Sequence, residues 1–328
     1  MSGPLALVTG ASGFVGSHIV DELLHRGARV RCLLRSTSSR RWLEGKPVEF
    51  VEGDVCRRDG LDQAVAGAEW IVHAAGLTHA RSAAEFHRAN AWGTENLLDA
   101  AAHAHPGPRR FLYISSQAAA GPSLDGSPVT EEQAPRPVSP YGSSKLVGET
   151  MTMRASDRLP VTAIRPPTVY GPRETALLKY FRAVKHHVRP YLGGARSFSV
   201  VFAEDHARAV WAALTQEAAV GQIYFVGGPE VTNYEEMGTL IQRAMGTWAV
   251  RLPIPAFVLQ AGALAGELAG AVTGRTPFFS REKFREITVG SWIVSSRKIR
   301  EHLGWAPQMP LEQGVLATAA WYREAGWV

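Results

Sequence analysis

The chain has 328 residues, of which 45% are hydrophobic and 20% are charged, and its formal net charge is +5. This composition excludes disordered and fibrous proteins and is typical of a globular protein with a large core. The basic residues are scattered and do not form one run, so nucleic-acid binding is not predicted. Two cysteines without metal-ligand spacing predict no metal site and fit a cytoplasmic setting, and no secretion signal is recognised at the start.

Strands and helices are predicted to alternate through the first two thirds of the chain. Short apolar runs predict strands at residues 5–9, 29–34, 48–51, 70–74, 111–115 and 161–165. Apolar residues at four-residue spacing, Val15, Ile19 and Leu23, predict a helix after the first strand. This alternation predicts an α/β fold with a doubly wound parallel sheet of the Rossmann type.

The regular pattern breaks after residue 165 and then returns to the sheet through a predicted helix at 205–214 and strand at 223–226. We therefore expect a larger domain of residues 1–171 and 201–227, and a smaller, discontinuous domain of residues 172–200 and 228–328. An apolar stretch at 256–272 contains Glu267 and is short for a membrane span. It predicts a half-buried helix in the smaller domain, with Phe257, Ala261, Leu264, Leu268 and Val272 on one face, and membrane contact is not favoured.

The segment TGASGFVG at residues 9–16 joins the first strand to the first helix. Gly10 permits a tight turn, Gly13 allows a phosphate to approach the backbone, and Gly16 allows the helix to pack closely on the strand. The start of the helix offers unpaired N–H donors and positive potential. We predict a pyrophosphate cradle formed by Gly10, Ser12, Gly13, Phe14, Val15 and Gly16.

The GxxGxxG spacing of this segment resembles the cofactor loop of extended short-chain dehydrogenases/reductases, within the NAD(P)-dependent epimerase/dehydratase superfamily. The resemblance runs through most of the chain. It implies that Asp54 contacts adenine and that further cofactor contacts come from Val55, Ala74, Ala75, Gly76, Asn90, Pro166, Thr168 and Val169.

The cofactor is predicted to be NADP, with NAD as the less favoured option. An NAD enzyme places an acidic residue on the ribose about twenty residues after the glycines, whereas Arg35 follows the second strand here. Its guanidinium can pair with a 2′-phosphate through a planar fork of donors. Arg40 and Arg41 stay open as a second phosphate ligand.

Tyr141 and Lys145 are at i and i+4, which places them on one face of a helix. A neighbouring ammonium favours the phenolate, so Lys145 is expected to lower the pKa of Tyr141, the predicted general acid/base. By family resemblance Lys145 also holds the nicotinamide ribose, and Ser116, chosen over Ser115, binds the substrate oxygen. Hydride transfer with Tyr141 as proton donor then needs no metal.

Thr78, Gln117 and Phe198 are the predicted substrate contacts. Counting back from Asp205, Phe198 occupies the place where sugar-modifying relatives have a diphosphate-binding arginine, although a register shift of two residues would put Arg196 there. Ala118 and Thr168 also replace polar residues of those relatives. These departures, with the 256–272 helix as a pocket wall, predict a small apolar substrate such as a steroid, flavonoid or aryl ketone, as in the 3β-hydroxysteroid dehydrogenase and dihydroflavonol reductase branch.

Two other functions stay open. One is a nucleotide-sugar epimerase or dehydratase that retains NAD, and the other is a protein that holds NADP without turnover, which the intact Ser116, Tyr141 and Lys145 disfavour. The sequence leaves a homodimer open and does not specify the natural substrate or the direction of the reaction.

Overall fold

A computed structural model describes residues 3–192, 196–273 and 281–328. The strands in these ranges are β1 (Leu5–Thr9), β2 (Arg29–Leu34), β3 (Val48–Glu52), β4 (Trp70–His73), β5 (Arg110–Ile114), β6 (Val161–Arg165), β7 (Thr168–Tyr170), β8 (Val188–Leu192), β9 (Ser197–Phe202), β10 (Gln222–Phe225), β11 (Val231–Asn233) and β12 (Val250–Ile254). The α-helices are α1 (Phe14–His25), α2 (Leu61–Val65), α3 (Ala83–His87), α4 (Gly93–His103), α5 (Gln117–Ala120), α6 (Pro140–Arg154), α7 (Leu178–Lys185), α8 (Ala203–Thr215), α9 (Tyr234–Met245), α10 (Ala256–Thr273), α11 (Arg281–Thr288), α12 (Arg297–Leu303) and α13 (Leu311–Glu324).

Seven strands form one parallel sheet in the order β10-β6-β5-β4-β1-β2-β3. The order reverses at β1, so the carboxyl ends of β1 and β4 border the crevice where doubly wound sheets bind their ligands. Apolar clusters cover both faces of the sheet, which is why its strands read as continuous apolar runs. The predicted fold class is confirmed, and strand ends differ from prediction by one residue at most.

Two small sheets lie outside the main one, and the sequence patterns did not predict them as sheets. The first has the order β11-β9-β7, and the second pairs β12 with β8 in parallel. Helices α7, α9 and α13 pack together around Phe181, Ile241 and Tyr322 beside these strands. The predicted domain boundary at residues 200 and 201 falls inside β9.

The predicted buried face of the 256–272 helix is wrong. α10 forms there, but Phe257 is 71% exposed and Leu264 is 48% exposed, while Ala263 is fully buried. Ala261 is also exposed, and the side chains of Leu268 and Val272 lie outside the described residues. Within the described ranges, no helix is long and apolar enough to cross a membrane.

Candidate active site

The predicted phosphate cradle lies between the end of β1 and the start of α1. Gly10 has a φ of +71°, and a Cβ there would lie 2.7 Å from the backbone of Ala74. A Cβ on Gly16 would lie 2.2 Å from the Gly10 carbonyl oxygen, so the helix touches the turn through this glycine. No side chain caps α1, and its first turn contains no acidic residue. These uncapped N–H donors and the close glycine packing fit the pyrophosphate of a dinucleotide.

A buried hydrogen-bond chain joins the ends of β1 and β4 to the helix that follows. Thr94 Oγ1 donates to the Asn90 carbonyl (2.8 Å), so it accepts from His73 Nε2 (3.0 Å). His73 Nδ1 is then the acceptor for the Thr9 hydroxyl (2.7 Å), which in turn accepts the Ala75 N–H. Burial lowers the pKa of His73 to about 3, which keeps the ring neutral in this chain of bonds. The network fixes the strand ends that flank the cradle.

Asn90 clamps the loop after β4 to the helix that carries Tyr141 and Lys145. Its side-chain oxygen accepts the Leu77 N–H (2.7 Å), and its amide donates to the Leu77 carbonyl (3.0 Å) and to Ser144 Oγ (2.9 Å). Asn90 lies in a π-helical turn, Arg88–Trp92, which directs its side chain into the protein. A Cβ on Gly76 would lie 2.8 Å from the Asn90 side-chain oxygen, so this loop also requires glycine.

Ser116 and Tyr141 lie at the starts of α5 and α6, two helices that pack against each other. Ser116 caps α5 by accepting the Ala118 N–H (3.1 Å), and Ser139 caps α6 by accepting the Gly142 N–H (3.1 Å). Burial raises the pKa of the Tyr141 phenol to about 12, against a smaller lowering by the Ser116 hydroxyl. The neighbouring Ser115 hydroxyl is buried and has no hydrogen-bond partner among the described residues.

The Lys145 ammonium is buried and bonds to the backbone of β5. It donates to the Ile114 carbonyl (2.6 Å) and lies 4.1 Å from the centre of the Tyr113 ring. Burial lowers the pKa of Lys145 to about 7, while Glu149 opposes that shift. Burial, Ser116 and Glu286 are the groups that shift the pKa of Tyr141 here, so the expected lowering of that pKa by Lys145 stays a prediction.

The predicted adenosine contacts lie at the ends of β2 and β3. Arg35 is exposed directly after β2, and Asp54 accepts the Cys56 N–H (2.9 Å) beyond β3. Val55 is buried, and its carbonyl accepts a hydrogen bond from Asn96 on α4. In the other half of the sheet, after β6, the Pro166 carbonyl accepts the Gln117 N–H (2.8 Å). Exposed Thr168 and half-buried Val169 follow in β7.

A cavity of about 440 Å³ opens beside Ser116 and Tyr141. The three predicted substrate residues lie in its wall, which is mainly aromatic and aliphatic. Its lining is Thr78, His79, Ala80, Phe86, Ser116, Gln117, Ala118, Tyr141, Pro167, Thr168, Tyr170, Leu177, Tyr180, Phe198, Val200, Tyr234, Met237, Lys283, Glu286, Ile287 and Trp292. Phe198 stacks obliquely on Tyr234 with ring centres 4.9 Å apart, while Arg196 lies just before β9 and its charge lowers the pKa of Tyr234 against the larger effect of burial.

Among the described side chains, none from α10 lines this cavity, whereas α11 contributes Lys283, Glu286 and Ile287. The prediction for residues 268–272 lies outside the described side chains. Glu286 accepts hydrogen bonds from Ser139 (2.5 Å) and Lys283 (3.1 Å), which places an ion pair in a wall expected to be apolar. The sequence analysis missed this pair because α11 is short and mostly polar, a pattern that also fits a solvated surface helix. Within the described ranges, no group of three or more His, Cys, Asp or Glu side chains is placed to hold a metal ion.

The chain is similar to known proteins over almost its whole length. Residues 6–227 match the model of the NAD dependent epimerase/dehydratase family. A ceramide reductase of Caulobacter vibrioides is 33% identical over 98% of this chain and 95% of its own length, and a dTDP-glucose 4,6-dehydratase of Streptomyces griseus is 30% identical over 97% and 94%. The crystal structure of gox2253 superposes with a TM-score of 0.82 at 29% identity and covers 99% of both chains.

Proposed function

Because the chain belongs to the NAD dependent epimerase/dehydratase family, we propose that it is an NADP-dependent oxidoreductase for a carbonyl or secondary alcohol on an apolar substrate. Membership of the family confirms the resemblance seen in the sequence and makes the protein a nicotinamide-dependent oxidoreductase. The observation that carries the finer proposal is the Ser116–Tyr141 pair beside a mainly aromatic and aliphatic cavity.

The catalytic roles follow from the protonation of these groups. NADPH supplies the hydride when bound. Tyr141, whose pKa is about 12, holds its proton at neutral pH and can give it to the oxygen of a substrate carbonyl. Ser116 is the second hydrogen-bond donor to that oxygen and shares its developing charge. Lys145, buried behind the pair at the end of β5, is assigned to the cofactor ribose.

Arg35 supports the preference for NADP. Its guanidinium is exposed at the carboxyl end of β2, where an acidic residue would bind the ribose of NAD. Charge-assisted hydrogen bonds contribute about 1.5–3 kcal/mol, so Arg35→Asp should weaken NADPH binding by roughly 10- to 100-fold. NADH binding should not weaken, because the new carboxylate can bind the ribose. Fluorescence titration of both cofactors measures this, with Arg300→Asp on distant α12 as the matched control. Equal affinity of the wild type for NADH and NADPH would refute the preference.

The cavity wall supports an apolar substrate, and so does the similarity to an enzyme named for the reduction of ceramide, a lipid. NADPH consumption should be tested with long-chain ketones, steroid ketones, aryl ketones and nucleotide sugars. We expect turnover of at least one apolar ketone and of no nucleotide sugar.

Conversion of a nucleotide sugar is the second candidate. It is favoured by the similarity to a dTDP-glucose 4,6-dehydratase. It is also favoured by Arg196, which is close enough to Tyr234 in the cavity wall for its charge to lower the pKa of that phenol. Phe198 opposes it, because its ring offers no counter-charge to a diphosphate. Calorimetry with UDP- and dTDP-sugars separates the two, since low-micromolar binding would select this second function.

A further inference from the structure

Three arginines follow β2 in the loop that would meet the adenosine end of the cofactor. Arg35, Arg40 and Arg41 form no ion pair in the part of the chain that the structure describes. Arg40 lies over the Phe50 ring of β3 at 4.6 Å, and β3 pairs with β2. The loop therefore presents positive charge that the described carboxylates do not neutralise.

Two turns fix the backbone of this loop. The Ser38 N–H donates to the Arg35 carbonyl (2.9 Å), and the Leu43 and Glu44 N–H groups donate to the Arg40 carbonyl (2.7 and 3.0 Å). Leu43 is fully buried in the core of the sheet. Arg40, Arg41 and Trp42 thus belong to one turn, and whatever holds Arg41 and Trp42 also orients Arg40.

That turn is held by residues from the far end of the chain. The Arg41 guanidinium contacts two rings, with its carbon 4.1 Å from the centre of Trp42 and 4.9 Å from that of Trp327. Trp42, Trp321 and Trp327, called here the tryptophan cluster, have ring centres 4.9–6.2 Å apart.

Trp327 is in turn anchored to the helices beside the substrate cavity. Its ring stacks on the buried Tyr322 ring with centres 5.6 Å apart, and its backbone N–H donates to the Tyr322 carbonyl (2.7 Å). Its own carbonyl accepts a hydrogen bond from Arg182 of α7 (3.1 Å). The tryptophan cluster therefore connects the predicted cofactor loop to the elements that carry Leu177 and Tyr180 of the cavity wall.

We propose that Trp327 is a positioning residue for cofactor selectivity: through Arg41 and Trp42 it holds the loop so that Arg35 and Arg40 both face the 2′-phosphate. The inference rests on the proposed NADP preference. It assigns Arg40 as the second phosphate ligand, and it gives Arg41, which contacts both Trp42 and Trp327, the role of holding the loop against these rings.

Trp327→Ala should raise the dissociation constant of NADPH by roughly tenfold, the order expected for loss of one partly desolvated cation–π contact, and leave that of NADH unchanged. Trp248→Ala is the matched control, because this tryptophan is 63% exposed and stacks on His187, away from the loop. An unchanged NADPH affinity, or an equal loss for both cofactors, would overturn the proposal. A wild type that binds NADH as tightly as NADPH would instead refute the proposed NADP preference on which this inference rests.

A second variant keeps the test independent of the large tryptophan truncation. Arg41→Gln removes the cation and keeps all three rings, and it should cause a similar loss in NADPH affinity. The double variant should lose no more than either single variant, because both changes break the same stack. Additive losses would mean that Arg41 binds the phosphate by itself, which contradicts its assigned role of holding the loop.

Discussion

Replacing Gly16 with alanine tests the cradle without requiring a substrate. The added Cβ would lie 2.2 Å from the Gly10 carbonyl oxygen and 2.7 Å from its carbonyl carbon, whereas real Cβ atoms essentially never approach closer than 3.0 Å. Both clashing atoms belong to backbone, which cannot rotate away as a side chain can. The start of α1 must therefore move away from the turn by about 1 Å.

The displacement should affect binding more than folding. Overpacking of this kind costs about 1–3 kcal/mol, and the better helix propensity of alanine offsets up to about 1 kcal/mol of it. Loss of one charge-assisted hydrogen bond between the N–H donors of α1 and a phosphate costs about 1.5–3 kcal/mol. The dissociation constant of NADPH should then rise by roughly 10- to 100-fold.

Gly262→Ala supplies the matched control, because a Cβ there meets no atom within 4 Å in α10. It should leave NADPH affinity unchanged and stabilise the protein by up to about 1 kcal/mol. Isothermal titration gives the affinities, and urea unfolding gives the stabilities. Wild-type NADPH affinity in Gly16→Ala would refute the assignment of this turn as the phosphate cradle.

Three further changes address the catalytic helix. Tyr141→Phe should keep NADPH affinity but reduce turnover of any accepted ketone by about 10²-fold or more, because only Ser116 still donates to the carbonyl oxygen; near-normal turnover would exclude the phenol as acid. Glu149→Gln should lower the free energy of unfolding by about 3–5 kcal/mol in urea titrations, since it leaves the buried Arg165 guanidinium without its bidentate partner at 2.6 and 2.9 Å. The pKa of Lys145 is about 7 in the folded protein, against an ordinary lysine value of 10.5, so the unfolded chain binds more protons between these values. Stability should therefore rise with pH across that window, by at most about 1.4 kcal/mol per pH unit, and Lys145→Met should remove this slope.

The main sheet could be predicted from the sequence because each of its strands is marked by residues within that strand or in the turn beside it. Each central strand is buried on both faces and reads as an apolar run. In the cradle, Gly10 has a φ of +71° and Gly16 leaves no room for a Cβ, so both positions favour glycine. Arg35 was predicted from its position after the second strand, Tyr141 from its i, i+4 spacing to Lys145, and Ser116 from the family resemblance. Their placement around the cradle and one cavity agrees with those patterns.

The parts that sequence patterns missed depend on contacts between distant segments. β12 is mostly exposed and has no alternation to mark it, so its pairing with β8 could not be anticipated. The buried face of α10 was wrong because hydrophobic periodicity identifies an apolar stripe but not whether a neighbour covers it. Trp42 meets Trp327 only after the chain has folded, and no local motif signals such a cluster.

The balance of burial and charge at the catalytic helix has a chemical consequence. Burial disfavours the ionised form of Tyr141 and of Lys145 alike, so it raises the pKa of the phenol and lowers the pKa of the ammonium. The Ser116 hydrogen bond opposes the first shift, and Glu149 opposes the second, but neither overcomes burial. Near neutral pH the phenol therefore keeps its proton, and a protonated phenol is the form that the proposed carbonyl reduction consumes. Alcohol oxidation would first have to remove that proton from a buried group, so under the proposed function the burial of Tyr141 favours its use as a proton donor.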